Sequence, residues 1–439
     1  MDRFTGIGKG INGPVARWAS YALVLLLPLS VYCPIGPSLA PEVLDIYVRP
    51  GLYLSDLAVG ALLLTSLVRL RQGARGWGAP RLTVPLLALA GLAVLTVPTA
   101  LSPALAAYTA LRWLAAVGVY LGLARNDVAL ERLAMVFVAG LGLHALIGLG
   151  QVLLQRPLEL PGELALEPSR SGAAIIEVGG MRWLRAYGLT FHPNVLGGFL
   201  AVGLLLGLPL LTRLRMQVLW WLLWLGLLLT FSRAAWLAVA VVMPLVVSWM
   251  ARYWPPLRRS LTVTLVGAAL IAALWVALFA GQLATRLRPM ATPAEHRSIV
   301  ERGVLQAVAL DIAVMHPVVG VGAGNFPLAM LSTEVLFPAQ PVHNLPLLLA
   351  AEVGVVGGGL WLWLWLAPGM ALTRHSRRAD PWAVALVGAW LTLGIIGLWD
   401  SYPWALNAGR LLSATVLGLV SRVLGEREKQ WWRDETSSK

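Results

Sequence analysis

Hydrophobic residues run along the chain in long stretches separated by short polar segments. Each stretch has roughly the 20 residues that a helix needs to cross a bilayer core. Lipid admits only helices and closed barrels, and these stretches are too long and continuous for barrel strands. The pattern therefore predicts an all-α polytopic membrane protein with about twelve spans. They are 18–35, 52–70, 82–100, 104–124, 128–154, 192–211, 216–231, 233–250, 261–281, 344–366, 382–399 and 404–421.

Two connections between the predicted spans are long. One covers about 155–191, and the larger one, 282–343, precedes the tenth span. The predicted organisation is therefore nine spans, a large loop, three further spans and a polar tail. Its boundaries are 1–281, 282–343, 344–425 and 426–439.

The larger loop carries the signals of a helix of its own. Thr292 and Glu295 have the spacing of a capping box, with Pro293 at the first helical position. Pro317 is predicted to stop this helix shortly after Met315. The run GVGAGN at 320–325 then predicts a tight glycine turn.

Composition and charge set the orientation. The chain of 439 residues is 58% hydrophobic and 13% charged, with a net charge of +13. Most of the 34 Lys and Arg residues fall on one side if both termini are cytoplasmic, as the positive-inside rule requires. The two long loops then face outward, which predicts a bacterial inner-membrane protein with its site toward the periplasm. Basic residues are scattered among short loops, which argues against nucleic acid as a partner, and membrane lipids explain them better.

Four charged residues lie within predicted spans, where burial in lipid is costly. Asp56, Arg112 and Arg410 fall near the outer ends of their spans, and Glu352 is nearer the middle. We predict that they line a polar cavity opening outward and support the site from behind. Alternatively, Asp56 and Arg112 simply pair to hold two helices together. Glu352 and His343 share a face only if His343 precedes the helix, because nine residues place them on opposite sides.

The outer loops hold the candidates for chemistry. Arginine binds phosphate oxygens with a planar fork that stays charged, and histidine can accept a proton from a hydroxyl near neutral pH. Purely structural roles are the alternative: Arg233 would anchor its helix at the membrane interface, His343 would be a polar residue at a helix start, and Asn344 would be an N-cap. No spacing indicates a metal site, and the single cysteine, Cys33, excludes an internal disulfide. The candidates are Arg182, Arg185, His192, Asn194, Arg233, Arg302, His343 and Asn344.

Six of these eight residues lie in stretches that resemble the O-antigen ligase and polymerase superfamily, bacterial membrane glycosyltransferases of the GT-C type. The stretches are 187–194 (YGLTFHPN), 231–234 (FSRA), Arg302 with 317–326 (PVVGVGAGNF), and 343–357. The resemblance implies a donor glycan on undecaprenyl pyrophosphate, held by Arg233 and Arg302, and His343 as the base in an inverting transfer without metal or cofactor. Gln306 departs from the aromatic residue that the family often has there.

The resemblance leaves the acceptor open. A ligase passes the glycan to lipid A-core or another glycan acceptor, whereas a polymerase passes it to a second lipid-linked repeat unit. The pattern from Arg302 to His343 favours a ligase. The candidates for binding donor or acceptor are Arg182, Arg185, His192, Asn194 and Asn344. A secondary transporter is the alternative class, although no similarity between two halves is present. A membrane scaffold would leave the charges within the spans unexplained.

Overall fold

The fold is described by a computed structural model for residues 12–72, 77–126, 128–164, 173–288, 292–333, 337–373 and 380–437. It is 73% helical with almost no sheet, and the predicted all-α polytopic class is confirmed. Parts of the predicted loops and tail, namely 165–172, 289–291, 334–336 and 438–439, lie outside the described residues.

The helices of the described residues follow one another with short connections except in two regions. In chain order they are Asn12–Leu26 (α1), Asp45–Val48 (α2), Ser55–Arg71 (α3), Pro80–Leu95 (α4), Pro103–Ala124 (α5), Leu130–Leu154 (α6), Pro193–Gly207 (α7), Leu214–Leu229 (α8), Arg233–Tyr253 (α9), Arg258–Leu278 (α10), Ala280–Leu287 (α11), Pro293–Met315 (α12), Phe326–Leu331 (α13), Leu345–Val353 (α14), Val355–Thr373 (α15), Pro381–Gly397 (α16), Tyr402–Ala405 (α17) and Asn407–Ser437 (α18).

Two small antiparallel hairpins interrupt the helices. Tyr32–Pro34 (β1) pairs with Gly51–Tyr53 (β2), and Ile175–Val178 (β3) pairs with Met181–Leu184 (β4). The second hairpin turns through two glycines with positive φ, the conformation that a two-residue turn of this kind demands.

Each of the twelve predicted spans coincides with a helix or a broken pair of helices. Within the described residues, eight helical segments are long and apolar enough to cross a membrane, and α8 and α16 are shorter apolar helices. The protein is therefore a multi-pass membrane protein. Helix α7 lies at the centre of the bundle. The segment Pro193–Leu210, which contains it, has 89% of its residues buried, and α7 packs against α6, α8, α9 and α16.

Several predicted span ends were wrong. The first span stops at Leu26 instead of continuing to 35, because Pro28 has no amide hydrogen to extend the helix and the chain then enters β1. The start predicted at 52 belongs to strand β2. The last span begins at Asn407, after the separate turn of α17, and its helix continues through Ser437 into the predicted tail.

The tenth span is broken at Gly354, where the sequence pattern predicted one continuous helix. Gly354 has a φ of 85° and separates α14 from α15. The predicted glycine turn is confirmed, with positive φ at Gly320, Gly322 and Gly324, and it lies directly against this break. Val321 N–H donates to Ala351 O at 2.9 Å. We call this contact between the glycine turn and the break the glycine seat.

The loop helix α12 also forms as predicted. Thr292 Oγ1 accepts a hydrogen bond from the Glu295 amide at 3.3 Å, and the helix ends at Met315, two residues before Pro317. The helix packs against α14. This places the outer-loop residues of α12 beside the segment that carries His343.

The glycine seat leaves no room for a side chain at Gly354. A Cβ there would lie 2.2 Å from Val318 O, on a backbone conformation that L-residues rarely adopt. Gly354→Ala should therefore destabilise the protein by about 1–3 kcal/mol, measured as a lower melting temperature in detergent. Gly359→Ala is the matched control, since a Cβ at Gly359 meets nothing within 4 Å. Equal melting temperatures for the two variants would contradict the tight seat.

Candidate functional site

A large cavity lies between the transmembrane bundle and α12. Its volume is about 720 Å³, within the range of small-molecule binding sites. Four residues predicted as candidates line it together: Asn194, Arg233, Arg302 and His343. They come from the starts of α7 and α9, from α12 and from the loop before α14, so segments distant in sequence converge on one wall.

The rest of the lining is largely apolar. Trp236, Leu237 and Ala240 continue along α9 from Arg233, and Trp399 faces them from the end of α16. Gln306, the position that departs from the family pattern, also lines the cavity. The cavity thus has a cationic end and an apolar side, which suits a ligand that is part anion and part lipid.

His343 lies in the loop before α14, whose N-cap is Asn344. The condition for His343 to share a face with Glu352, that His343 precedes the helix, is therefore met, but the two residues line different cavities. Nδ1 of His343 is 3.5 Å from Oδ1 of Asp400, a contact longer than a good hydrogen bond. This arrangement turns Nδ1 toward a carboxylate and leaves Nε2 for a ligand.

Asp400 is the acidic partner of the site, and it was not predicted from the sequence. Its side chain is 8% exposed, and Oδ2 accepts a hydrogen bond from Asn194 Nδ2 at 2.9 Å. Burial raises the pKa of Asp400, but the contact with His343, the Arg302 charge and the Asn194 hydrogen bond outweigh burial, and the pKa lies well below its ordinary value. Asp400 is therefore a buried anion facing the imidazole.

Arg185 continues the series of hydrogen bonds from Asp400 and Asn194 away from the cavity. Its Nη2 donates to Asn194 Oδ1 at 2.7 Å and its Nε donates to Thr230 O at 2.7 Å. Burial, and then the nearby Arg286 charge, lower the pKa of Arg185 well below its ordinary value. Arg185, predicted as a binding candidate, does not line the cavity, and its contacts fix Asn194 instead.

Arg233 stands at a turn shaped by Phe231, whose φ of 49° is unusual for a residue with a side chain. Its Nη1 lies 3.1 Å from Oε2 of Glu295. Glu295 also forms an ion pair with Arg286, which donates through Nη2 to Phe231 O at 3.0 Å. The carboxylate of Glu295, predicted to complete the capping box, therefore pairs with Arg233 and Arg286 instead. It joins α12 to the two arginines.

Arg302 completes the cationic end from α12. Burial lowers the pKa of Arg302, while Asp400 acts in the opposite direction and Arg233 adds to the lowering. Arg286 also lines the cavity. Three guanidinium groups on the described part of the wall therefore face one space, and two of them, Arg233 and Arg286, share the carboxylate of Glu295.

The remaining candidates lie outside the cavity lining. His192 is the N-cap of α7, where Nδ1 accepts a hydrogen bond from the Asn194 amide at 3.1 Å. Asn344 caps α14 and donates through Nδ2 to Leu398 O at 3.3 Å. Arg182 lies on β4, exposed to solvent. The polar atoms of His192 and Asn344 are used to position the residues that line the cavity.

The four charges within the spans gather around a second, smaller cavity of about 50 Å³. Arg112, Glu352 and Arg410 line it, and Asp56 pairs with Arg112 at 2.9 Å. The predicted ion pair and the predicted polar cavity therefore both exist. This cavity is distinct from the one that holds His343, a separation that the sequence did not indicate.

Sequence reasoning missed Asp400, Glu295 and Arg286 as members of the site. Asp400 carries a usable signal, since it is an acidic residue directly after the eleventh predicted span on the predicted outer side. Glu295 was interpreted only as a capping residue. Among the described residues, no group of three or more His, Cys, Asp and Glu side chains is placed to hold a metal ion.

Comparison with known proteins supports the resemblance seen in the sequence. The model of a protein family described as O-antigen ligase matches residues 218–362. The match contains Arg233, Arg286, Glu295, Arg302 and His343, and it confirms the relation to the O-antigen ligase and polymerase superfamily. No curated protein matches the chain.

The cap at His192 makes a prediction about pH. Burial, followed by the charge of Arg185, lowers the pKa of His192 from 6.5 to about 3. The folded imidazole thus stays neutral while the unfolded one binds a proton, so this contribution to stability is lost as pH falls from about 6.5 toward 3. His192→Asn keeps a capping side chain that does not titrate.

We therefore expect the melting temperature of the native protein to fall more steeply between pH 7 and pH 4.5 than that of His192→Asn. The difference between the two curves removes the contribution of all other titrating groups. Parallel curves would show that His192 is not held neutral by the fold.

Proposed function

Because residues 218–362 match the O-antigen ligase family, we propose that this protein is a glycosyltransferase that takes its glycan from undecaprenyl pyrophosphate. The observation that carries the proposal is the convergence of Arg233, Arg302 and His343 on one cavity with an apolar side. A diphosphate needs cations, a polyprenyl chain needs an apolar surface, and a hydroxyl acceptor needs a base. This cavity supplies all three.

The donor would lie with its diphosphate at the cationic end. Arg233 and Arg302, with Arg286 beside them, offer planar donor pairs that match phosphate oxygens and stabilise the charge that develops on the leaving group. The polyprenyl chain would follow the α9 wall past Trp236 and Leu237 toward lipid. Binding would also exchange the Glu295 contact of Arg233 for a phosphate contact.

The reaction we propose is a single displacement at the anomeric carbon. The acceptor oxygen forms a bond to that carbon while the bond from the carbon to the diphosphate oxygen breaks, which inverts the configuration. Nε2 of His343 takes the proton of the acceptor hydroxyl. The bonding electrons leave with undecaprenyl pyrophosphate, whose added charge faces the arginines.

Asp400 has the role of a positioning residue in this proposal. Its contact with Nδ1 favours the tautomer in which Nε2 is free to accept a proton, and its negative charge stabilises the imidazolium that results. Asn194 and, behind it, Arg185 hold the carboxylate in place. The histidine would then act from a fixed orientation.

The proposed location is the bacterial inner membrane, with both termini cytoplasmic and the cavity toward the periplasm. The charge bias of the loops supports this orientation. For the acceptor we propose lipid A-core or another glycan, which makes the enzyme a ligase. A polymerase that joins two lipid-linked repeat units would use the same donor end of the cavity. A secondary transporter is the alternative class, and the family match over residues 218–362 favours the transferase over it.

The proposal is tested by glycan transfer in vitro. Purified protein receives undecaprenyl-pyrophosphate glycan in the presence of a chelator, with lipid A-core or without an added acceptor. Glycosylated lipid A-core identifies a ligase, and a ladder of longer lipid-linked glycans without acceptor identifies a polymerase. His343→Ala should lower either product by at least about a hundredfold. Transfer by folded His343→Ala at the native rate would remove His343 from the mechanism.

A second variant tests the positioning residue. Asp400→Asn should reduce the turnover number at least about tenfold and change its pH profile, with little effect on the KM of the donor. Asp311→Asn, an exposed position on α12, is the control. Melting temperatures of both variants report folding. An unchanged pH profile for Asp400→Asn would show that the carboxylate only supports structure.

A further inference from the structure

The second cavity is lined by residues from segments distant in sequence and has no part in the proposed transfer. It lies across the 341–344 segment from the first cavity, because Pro341 lines the second and His343 the first. Two cations, Arg112 and Arg410, and one carboxylate, Glu352, line it, and a second carboxylate, Asp56, pairs with Arg112. The cavity is therefore at the same end of the bundle as the proposed active site.

Several buried donors around this cavity have no acceptor among the described residues. Nη1 of Arg112 donates a hydrogen bond to Oδ2 of Asp56 at 2.9 Å. In the described part of the chain, Nε and Nη2 of Arg112 and the indole nitrogens of Trp113 and Trp404 are buried without an acceptor. All four belong to side chains of the cavity lining, and the two tryptophans are 2% and 5% exposed. A buried donor without an acceptor is costly.

The two other charged groups of the lining, Arg410 and Glu352, have hydrogen-bond partners. Arg410 donates through Nε to Trp404 O at 2.9 Å and through Nη2 to Ala405 O at 3.1 Å, which holds its charge at the cavity. Glu352 accepts from the Phe326 amide at 3.4 Å. The guanidinium of Arg112 also lies 4.9 Å from the centre of the Tyr53 ring, which fixes its plane.

The size of the cavity limits its ligand. A water needs roughly 10–15 Å³ by this measure, and the cavity offers about 50 Å³. It therefore holds a group of a few non-hydrogen atoms, too few for a diphosphate or a sugar chain. The ion pair of Arg112 and Asp56 beside the cavity is partly exposed, with side-chain exposures of 11% and 21%.

We propose that the second cavity is a binding site for a single oxyanion of the phosphate type. Its oxygens accept hydrogen bonds from Arg112, Trp113 and Trp404, and Arg410 contributes a second positive charge. Two sources share this chemistry, the phosphate of a lipid headgroup and free phosphate. The site does not depend on the proposed glycosyl transfer, and its test measures binding alone.

The experiment is equilibrium dialysis of the purified full chain in dodecyl maltoside. The probes are radiolabelled inorganic phosphate and, separately, dihexanoyl phosphatidic acid, with dihexanoyl glycerol as the uncharged comparison and chloride at equal ionic strength. Native protein should bind one equivalent saturably. Binding of phosphatidic acid alone assigns the site to a lipid headgroup, binding of phosphate alone assigns it to a soluble anion, and binding of both assigns it to the oxyanion itself.

Two variants test which residues are responsible. Trp404→Phe removes one donor and leaves the pair of Arg112 with Asp56 intact, and Arg112→Lys keeps the charge but loses the planar fork. Each should weaken binding at least about tenfold. Trp249→Phe is the matched control, because it removes a buried indole donor without an acceptor outside both cavity linings.

The proposal would be overturned by the absence of saturable binding of both probes to native protein. Equal binding by the native protein, Trp404→Phe and Arg112→Lys would overturn it too, since the anion would then lie elsewhere. Melting temperatures confirm that each variant is folded. Loss of binding in a variant that melts like the native protein supports the site.

Discussion

The buried carboxylate of Asp400 is the interaction on which the outer end of this bundle depends. A buried anion is stable only when charges and hydrogen bonds replace its lost water. Here they come from the loop before α14, through His343, and from the start of α7, through Asn194. Arg185 then ties Asn194 to the α8–α9 turn. One anion thus fixes the relative positions of the elements that line the larger cavity.

A second constraint is the glycine seat, which sets where α14 ends. Backbone hydrogen bonds join the two sides: Val321 N–H donates to Ala351 O, and Val355 N–H donates to Pro317 O. These bonds fix the end of α12 against α14. Glu295 pins the other end of α12 to Arg233 and Arg286. The 341–344 segment is held between these supports, with the larger cavity on one side and the second cavity on the other.

The sequence predicted the class, all twelve helical segments and the helix within the large loop, because hydrophobic run length and capping chemistry are local properties. It also brought Arg233, Arg302 and His343 together through a family resemblance. It did not predict Asp400 or Arg286, because their importance arises from contacts between distant segments. The break at Gly354 was missed for the same reason: its cause is the turn at 317–322, and apolar residues continue on both sides. The four charged residues within the spans gather around one cavity, as predicted, but packing separates it from the cavity that His343 lines.

The central claim, that the larger cavity binds a lipid-linked diphosphate, is tested most directly by photo-crosslinking. A polyprenyl diphosphate with a photoreactive group near the diphosphate would be irradiated with the protein, and the labelled peptides identified by mass spectrometry. We predict labels on residues 233–240 and 299–306, which line the cavity from α9 and α12, and competition by unlabelled undecaprenyl pyrophosphate. Labels confined to other helices, or labels that the competitor does not remove, would contradict the account.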